Sequence, residues 1–379
     1  MPEMLRLSLQ DLILRVKICN MGEIEGTLAE ALDPPSAKNI RRAIEALKEV
    51  KALTEGEALT PLGQQLARLP LDVFLGKLIL YGTVFRCLDA AVSIAAILSC
   101  KSPFVTSVGT NHKDLARRAF DRGDSDLLTL YNAYSAWKKI RSTPGLSEFA
   151  FCRKNCLSPQ ALLNIEDVKT QLIVSLVDTG LLKLDASEAA SLSRARFTSR
   201  NRQFFTVPAR ADTNSANDTI VNAVIAWSFY PRLLTRDAGK KGFRNVSNNQ
   251  TVVLHPTSVN RNRAPDAPPL KFLSYYHIMQ SRNRNYNAHE TSAVDDVAVA
   301  LLCGDVGFRL YAGLITVDGS RVRFAVRDWK TLLAVKALSC RLREILGAVF
   351  REPGRAVLSR RHEEWLALWQ RVFEQGSSK

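Results

Sequence analysis

The sequence predicts a multidomain α+β protein. Its 379 residues exceed what one hydrophobic core usually organises, so two or more domains are expected. Apolar residues recur at helical spacing before residue 190 and again after residue 329. Between these two parts, short runs rich in β-branched and aromatic residues alternate with loops rich in Asn, Gly and Pro.

Residues 1–70 predict a winged helix, which is three helices followed by a β-hairpin. Asp33-Pro34-Pro35 ends the second helix, and Ser36 is placed to cap the third. The predicted helices cover residues 5–18, 23–32 and 37–50, and the hairpin covers residues 52–60. A winged helix suggests DNA binding, but nine basic residues against ten acidic ones leave this segment at −1. A spacer role is therefore favoured over DNA recognition.

Residues 71–190 predict an all-α helical bundle. The first two helices are apolar nearly all round, as buried helices are. Asp124 or Ser125 is placed to cap the fourth helix. The predicted helices cover residues 73–85, 89–100, 112–120, 124–140 and 158–179.

Residues 191–328 predict a small β-barrel, and residues 329–379 predict a C-terminal helical extension. Among small barrels, an OB-fold is the economical choice for a nucleic-acid module. A helix at residues 218–229, ended by Tyr230-Pro231, precedes most of the strands. The predicted strands cover residues 204–207, 251–254, 272–276, 310–317 and 322–326, and the closing helices cover residues 329–350 and 359–373.

Charge is concentrated in the predicted barrel. Residues 191–290 contain 15 Lys+Arg against 5 Asp+Glu, which gives 15 − 5 = +10 of the chain's net +15. Aromatic residues such as Phe204, Trp227 and Tyr286 lie in the same stretch. A basic and aromatic surface is typical of nucleic-acid binding. The alternative is a basic barrel that has no polyanionic ligand.

The motifs of the common enzyme classes are missing. The sequence contains no phosphate-binding G-x-x-x-x-G-K-[ST] loop, no G-x-S-x-G and no H-E-x-x-H. No catalytic residue and no cofactor is therefore predicted for this chain, which by itself is not expected to be an enzyme.

A metal site is also disfavoured. Cys152 and Cys156 would share one face of a helix, but no second Cys/His pair lies near them. His289-Glu290 stands alone, since the histidines are scattered along the sequence. The five histidines are His112, His255, His277, His289 and His362.

The overall composition predicts where in the cell the protein is found. No run approaches the ~18 apolar residues of a membrane span, and no signal peptide is recognisable. Seven cysteines without close pairing favour a reducing environment. We expect a cytoplasmic or nuclear protein with no membrane partner.

Several motifs in order resemble one family. The stretch from Leu59 to Asn260 is similar to the C-terminal half of the DEAH-box/RNA helicase A-like (DExH) RNA helicases, and the domain order extends the match over residues 1–328. The details are most similar to the ribosome-associated translation-initiation helicases and their fungal relatives. The matching motifs are residues 59–63, 69–72, 76–77, 87–89, 101–104, 124–128, 131–134, 137–139, 230–231 and 255–260.

The resemblance implies a role. The bundle would act as a ratchet beside an RNA channel, and the barrel would contact RNA and receive activating partners. Both RecA-like ATPase domains of the family are missing, so ATP and Mg²⁺ would belong to the core of a longer parent protein, of which this chain would be a part.

Ten residues are predicted to contact nucleic acid. Arg244 would grip phosphate while Asn245 orients a base edge. Short polar side chains of the 255–260 motif suit phosphate oxygens and 2′-hydroxyls, although loop capping explains His255 and Asn260 equally well. The remaining arginines would act electrostatically. The full set is Arg244, Asn245, His255, Thr257, Ser258, Asn260, Arg261, Arg263, Arg282 and Arg284.

Together these observations predict an RNA-binding accessory module that guides single-stranded RNA beside the ATPase core of a DExH helicase. Two alternatives stay open. One is a protein-interaction scaffold whose barrel docks an activator or the ribosome. The other is a winged-helix DNA-binding regulator that uses Arg41 and Arg42.

Overall fold

The computed structural model describes residues 8–105, 116–197, 204–237, 242–261, 263, 267–281, 284–353 and 358–376. Helices, then strands, then helices follow one another, so the predicted multidomain α+β class is confirmed. The helices are Leu9–Ile18, Ile24–Ala29, Ala37–Glu49, Pro61–Leu66, Val73–Val84, Leu88–Ser99, Asp126–Ser142, Glu148–Lys154, Pro159–Asp178, Ala186–Phe197, Asp218–Phe229, Asp296–Leu302, Trp329–Arg351 and Arg360–Gly376. The strands are β1 (Leu233–Arg236), β2 (Phe243–Asn245), β3 (Thr251–Leu254), β4 (Phe272–Ser274), β5 (His277–Gln280), β6 (Tyr286–His289), β7 (Ser292–Val294), β8 (Val306–Arg309), β9 (Leu314–Val317) and β10 (Val322–Ala325).

The N-terminal part has the predicted three helices and a reduced wing. Ser36 caps the third helix, because its hydroxyl accepts a hydrogen bond from the Asn39 amide at 3.4 Å. The predicted hairpin is a single antiparallel bridge between Leu53 and Leu59. Thr60 then caps the short helix Pro61–Leu66, which the sequence pattern did not predict.

The helices Val73–Val84 and Leu88–Ser99 lie at the centre of the bundle and are buried on nearly all sides. Their close approach depends on Gly82. A Cβ atom placed on Gly82 would lie 2.4 Å from the Cβ of Ala91, so only glycine fits at this crossing.

The other bundle helices refine the prediction. Ser125, rather than Asp124, caps the helix Asp126–Ser142 by accepting from the Leu128 amide at 3.1 Å. Residues 112–115 of the predicted helix 112–120 lie outside the described residues, and the described part is helical at 116–118. Cys152 is buried in the helix Glu148–Lys154, whereas Cys156 lies beyond its end at φ +53°. The two thiols therefore do not share a helical face.

The transition to the barrel comes later than the sequence pattern indicated. Residues Ala186–Phe197 form a helix, and the predicted strand at 204–207 is wrong because this segment is irregular. Its apolar residues serve the helical core instead. Phe205 is buried, and the ring of Phe204 packs edge-on against Trp137 with centroids 5.6 Å apart.

The strands β1 to β7 form a closed barrel of five strands, two of which are bent and interrupted in the middle. Two residues separate β4 from β5, and two separate β6 from β7. Antiparallel pairing of β4 with β7 and of β5 with β6 shows that these four segments are two long, bent strands. β1 pairs with β2 and β4, β2 with β3, and β3 runs parallel to β6. If β4 with β5 is counted as the fourth strand and β6 with β7 as the fifth, the strands pair in the order first, second, third, fifth, fourth and back to the first. This is the closed five-stranded barrel expected of an OB-fold.

A small antiparallel sheet of β8, β9 and β10 follows the barrel and contacts the winged helix. Arg321, in the turn before β10, pairs with Glu49 at 2.8 Å, and Asp305, just before β8, pairs with Lys51 at 2.8 Å. The predicted strand 310–317 begins only at Leu314, since residues 310–313 form a turn.

The C-terminal helices belong to the main core. Trp369 is 1% exposed and packs against Phe85 and Trp227, at centroid distances of 4.7 and 6.0 Å. Gln65 donates from Nε2 to the Phe350 carbonyl at 2.8 Å. Within the described residues, no helix has both the length and the apolar composition that crossing a membrane requires.

Candidate nucleic-acid interface

Two sequence motifs that lie 130 residues apart form one joint between the bundle and the barrel. The start of the helix Asp126–Ser142 contacts the loop at 256–260 and the bend between β6 and β7. Ser125 forms an antiparallel bridge with Ser292, and their hydroxyl oxygens lie 2.6 Å apart. The motifs therefore hold two domains in a fixed arrangement.

Asp126 is the centre of this joint and is 1% exposed. Its Oδ1 accepts from the Val259 amide at 2.9 Å. Its Oδ2 accepts from the amide and the hydroxyl of Thr291 at 2.8 and 3.1 Å. Arg117 lies 3.4 Å from Oδ1 and supplies a positive charge. Hydrogen bonds and a cation together compensate for burial of the carboxylate.

Ser258 and Asn260 were predicted to contact RNA, and the structure places both inside the joint. Ser258 is 4% exposed and its hydroxyl lies 2.8 Å from that of Thr291. Asn260 is 6% exposed and donates from Nδ2 to the Asp124 carbonyl at 3.0 Å and to the Thr291 hydroxyl at 2.9 Å. For Asn260, the loop-fixing role that the sequence left open matches this geometry.

Asn245 is likewise buried, in the barrel rather than at its surface. Its Nδ2 donates to the Tyr275 hydroxyl at 3.0 Å, and its Oδ1 accepts from the Ser247 amide at 3.0 Å. Arg244 on β2 is partly exposed, with its Nε 2.9 Å from Asp237 Oδ2. The amide of Asn245 is thus committed to the fold, and only Arg244 of this pair reaches the surface.

The remaining predicted residues lie at or near the surface. Thr257, Arg261 and Arg284 are exposed, and His255 and Arg263 are partly exposed. Arg261 donates to the Leu254 carbonyl at 3.1 Å, while Arg263 donates to Asp124 at 2.9 Å. These contacts are made by the guanidinium groups, so they fix the ends of both side chains. Arg282 lies outside the described residues.

A basic cleft of about 490 Å³ lies between β2–β3 and the loop that follows Asn260. Arg236, Arg261 and Arg263 line it, and Phe243, Val252, Leu254 and Leu270 supply apolar surface. Arginines beside apolar side chains can contact phosphates while a base packs against the floor. Sequence reasoning named two of these arginines and missed Arg236, because β1 was not recognised as a strand.

Three histidines that are scattered in the sequence come together beside the joint. The rings of His277 and His289 are 8° from parallel with centroids 4.7 Å apart, and His255 stacks on His289 at 4.1 Å. Burial lowers the pKa of His289 to about 4, and the two neighbouring imidazoles act in the same direction. Burial also raises the pKa of Glu290 to about 7, with Asp126 adding to the shift. The expectation of isolated histidines was therefore wrong.

Asp126 and Thr291 were not predicted as site residues. The stretch Asp124–Leu128 was recognised only as part of a family motif, and its role as an acceptor for the barrel has no local signature. Nothing around Thr291 distinguishes it in the sequence. Only the fold brings them together.

Family models match the chain in three places. A helicase-associated winged-helix domain matches residues 43–71, and a ratchet-like helicase-associated domain matches residues 72–130. An oligonucleotide/oligosaccharide-binding (OB)-fold matches residues 221–306. This last range contains the closed barrel and the basic cleft.

Known helicases are similar over most of this chain. "ATP-dependent RNA helicase DHX29" of Homo sapiens is 34% identical over 328 residues, 84% of this chain and 22% of the relative. "ATP-dependent DNA/RNA helicase DHX36" of Bos taurus is 32% identical over 336 residues, 87% of this chain and 30% of the relative. "DExH-box ATP-dependent RNA helicase DExH4, chloroplastic" of Arabidopsis thaliana is 29% identical over 379 residues, 93% of this chain and 26% of the relative.

The chain thus spans less than a third of the length of these relatives. The matched domains follow one another in the order that the sequence motifs indicated. The matched domains and relatives together support a C-terminal DExH helicase module with winged-helix, ratchet-like and OB-fold domains.

Proposed function

We propose that this module binds single-stranded RNA on its barrel and guides the strand beside the ATPase core of a DExH helicase. The basic cleft carries the proposal, because it combines three arginines with an apolar floor. Such a surface neutralises phosphates without demanding a particular sequence. ATP hydrolysis, with ATP and Mg²⁺, would belong to the RecA-like domains of the parent protein.

Support also comes from the division of roles within the 255–260 motif. Its buried members fix the loop to the bundle, whereas His255 and Thr257 remain available at the surface. Thr257 is held by its contact with His255, whose Nδ1 lies 2.7 Å from the Thr257 hydroxyl. A loop fixed in this way presents its polar atoms in a defined place, which lowers the entropic cost of binding.

Fluorescence anisotropy with labelled single-stranded RNA, titrated from low to high salt, tests this function. Arg236→Gln and Arg261→Gln, two changes in the cleft, should each weaken binding and lower the salt slope by about one unit per lost phosphate contact. Arg41→Gln on the winged helix is the control, since Arg41 is exposed but paired with Glu25 at 3.0 Å. This control should leave RNA binding unchanged.

Two results would favour the alternatives. No RNA binding at low salt contradicts the proposal and favours the scaffold for an activator or the ribosome. Preference for duplex DNA that is lost in Arg41→Gln favours the DNA-binding regulator. A cytoplasmic location and a role in translation initiation are part of the proposal and depend on the parent protein.

A further inference from the structure

His277 and His289 are placed side by side by the pairing of β5 with β6. They are direct partners in the antiparallel register, so their side chains leave the sheet on the same face. Glu290 follows His289 and would point to the opposite face in a regular strand. Its backbone instead has φ +50°, which breaks the alternation. The carboxylate and both imidazoles consequently offer ligand atoms that all lie within 4.8 Å of one another.

An oxygen of Glu290 lacks the partner that burial requires. Oε2 is buried and accepts no hydrogen bond from the described residues, although His277 Nδ1 lies 3.2 Å away. Buried carboxylate oxygens are normally satisfied by a donor or a cation. A nitrogen and an oxygen at this distance, with no well-aligned hydrogen bond between them, could both be satisfied by one cation.

We propose that His277, His289 and Glu290 form a binding site for a divalent transition metal, with Zn²⁺ as the best match. Two imidazoles and one carboxylate are a donor set that Zn²⁺ takes in proteins. Mg²⁺ and Ca²⁺ prefer sites made of oxygen atoms, which this cluster does not provide. A water molecule would complete four-coordination.

The distances allow this coordination with small side-chain rotations. Tetrahedral ligands at about 2.1 Å from zinc lie about 3.4 Å from each other. The His277–Glu290 distance of 3.2 Å already meets this requirement. The other ligand atoms need to move closer by about 1.4 Å at most from their 4.8 Å limit. The side chains are partly exposed, so their rings are free to turn.

The full chain, washed with chelator and then dialysed into metal-free buffer, allows a direct test. Isothermal titration with ZnSO₄ should show one site per chain. His289→Ala and Glu290→Gln should each weaken binding at least about tenfold, since they remove a ligand. His362→Ala is the matched control, because His362 lies on the C-terminal helix and away from the cluster. It should bind as the unchanged chain does.

Cobalt distinguishes this site from the seven cysteines. Bound Co²⁺ should give visible d–d bands of a nitrogen- and oxygen-ligated ion, and His289→Ala should abolish them. Strong thiolate-to-cobalt charge-transfer bands, or zinc binding that is equal in all variants, would overturn the proposal. Circular dichroism of the metal-free variants shows whether they fold. If His289→Ala does not fold, the nearly isosteric Glu290→Gln decides the question.

The metal site is independent of the proposed RNA binding. Anisotropy with RNA measured after chelator treatment separates the two, because the basic cleft contains none of the three ligands. A chain that binds RNA but not zinc would therefore contradict the metal site and leave the proposed RNA binding intact.

Discussion

Asp126 connects the ratchet-like bundle to the barrel through contacts that apolar residues could not replace. Its two oxygens accept from backbone amides at Val259 and Thr291, which fixes the loop and the bend of the long strands. Both elements also carry the exposed side chains of the candidate RNA surface. The geometry of that surface therefore depends on a residue that does not reach it.

Asp126→Asn should lower the free energy of unfolding by about 2–4 kcal/mol. The amide nitrogen would face a donor where an oxygen now accepts, leaving a buried polar group unsatisfied. Urea denaturation followed by circular dichroism measures this effect. Asp121→Asn is the control, because Asp121 is exposed in the same region, and it should change stability by less than about 0.5 kcal/mol. Equal effects would show that Asp126 has no special role.

The sequence predicted which loop belongs to the candidate RNA surface but not which of its residues are exposed. Residues 255–260 were recognised as a motif, yet their short polar side chains suit either an RNA backbone or a buried joint. Burial depends on Asp126 and Thr291, which come from other parts of the chain. Such long-range contacts leave no local pattern, so sequence reasoning could not separate Thr257 from Ser258.

At the scale of elements, helices were more predictable than strands. The helix Asp218–Phe229 has the predicted bounds, because a capping residue, a run of mostly apolar residues and Tyr230-Pro231 mark it locally. β2, β5 and β6 have three or four residues each and include Arg, Asn and His, so no alternation identifies them. Residues 204–207 have strand-like composition but no partner strand, and tertiary packing decided their conformation.

The buried helix Val73–Val84 contains a charge that costs stability. Lys77 is 6% exposed, and burial lowers its pKa from 10.5 to about 8. Below pH 8 the lysine is charged in both the folded and the unfolded chain, so the full cost of burying the charge applies. As pH rises from 8 towards 10.5, the folded chain loses this proton first and the cost declines.

Lys77→Met should accordingly raise the free energy of unfolding at pH 7 by about 1–3 kcal/mol. This gain should shrink between pH 8 and pH 10.5. Urea denaturation at several pH values provides the measurement. The exposed Lys101→Met is the control and should show no gain. A gain that does not depend on pH would mean that packing, and not charge, is responsible.

The C-terminal helix Arg360–Gly376 contributes buried residues to the same core as the bundle helices. Trp369→Ala should cost about 3–5 kcal/mol, because its ring packs against Phe85 and Trp227. Trp329→Ala removes a ring that is 61% exposed and should cost less than about 0.5 kcal/mol. Thermal unfolding of both variants compares them directly, and similar losses would contradict the packing argument.

At the scale of the molecule, the described residues form two cores of unequal size, which predict unequal local stability. One apolar cluster runs from Ile13 to Phe373 and unites the winged helix, the bundle and the C-terminal helices. The barrel interior is a separate, small cluster. Its buried members are Leu234, Val252, Leu254, Leu273, Tyr275 and Ala288. The sequence predicted the order of the domains but not this inequality, which depends on how strands curve around each other.

Amide hydrogen exchange should detect the difference between the two cores. Amides of β2 and β3 should exchange sooner than those of the helix Val73–Val84, since fewer buried apolar contacts oppose opening of the barrel. Asp126→Asn should accelerate exchange in the barrel much more than in that helix. Exchange that is uniform across both parts would show instead that the chain opens as one unit.

The contact between Ser125 and Ser292 has a practical consequence for anyone who divides this chain. Cutting it near residue 190 to study the bundle or barrel alone would separate Asp126 from Val259 and Thr291. The bundle fragment would then expose the Asp126 carboxylate without its partners from the barrel, and the barrel fragment would lose the anchor of the loop at 256–260. If either fragment failed to bind RNA, the cause would be the loss of these contacts, and the result would not apply to the intact protein.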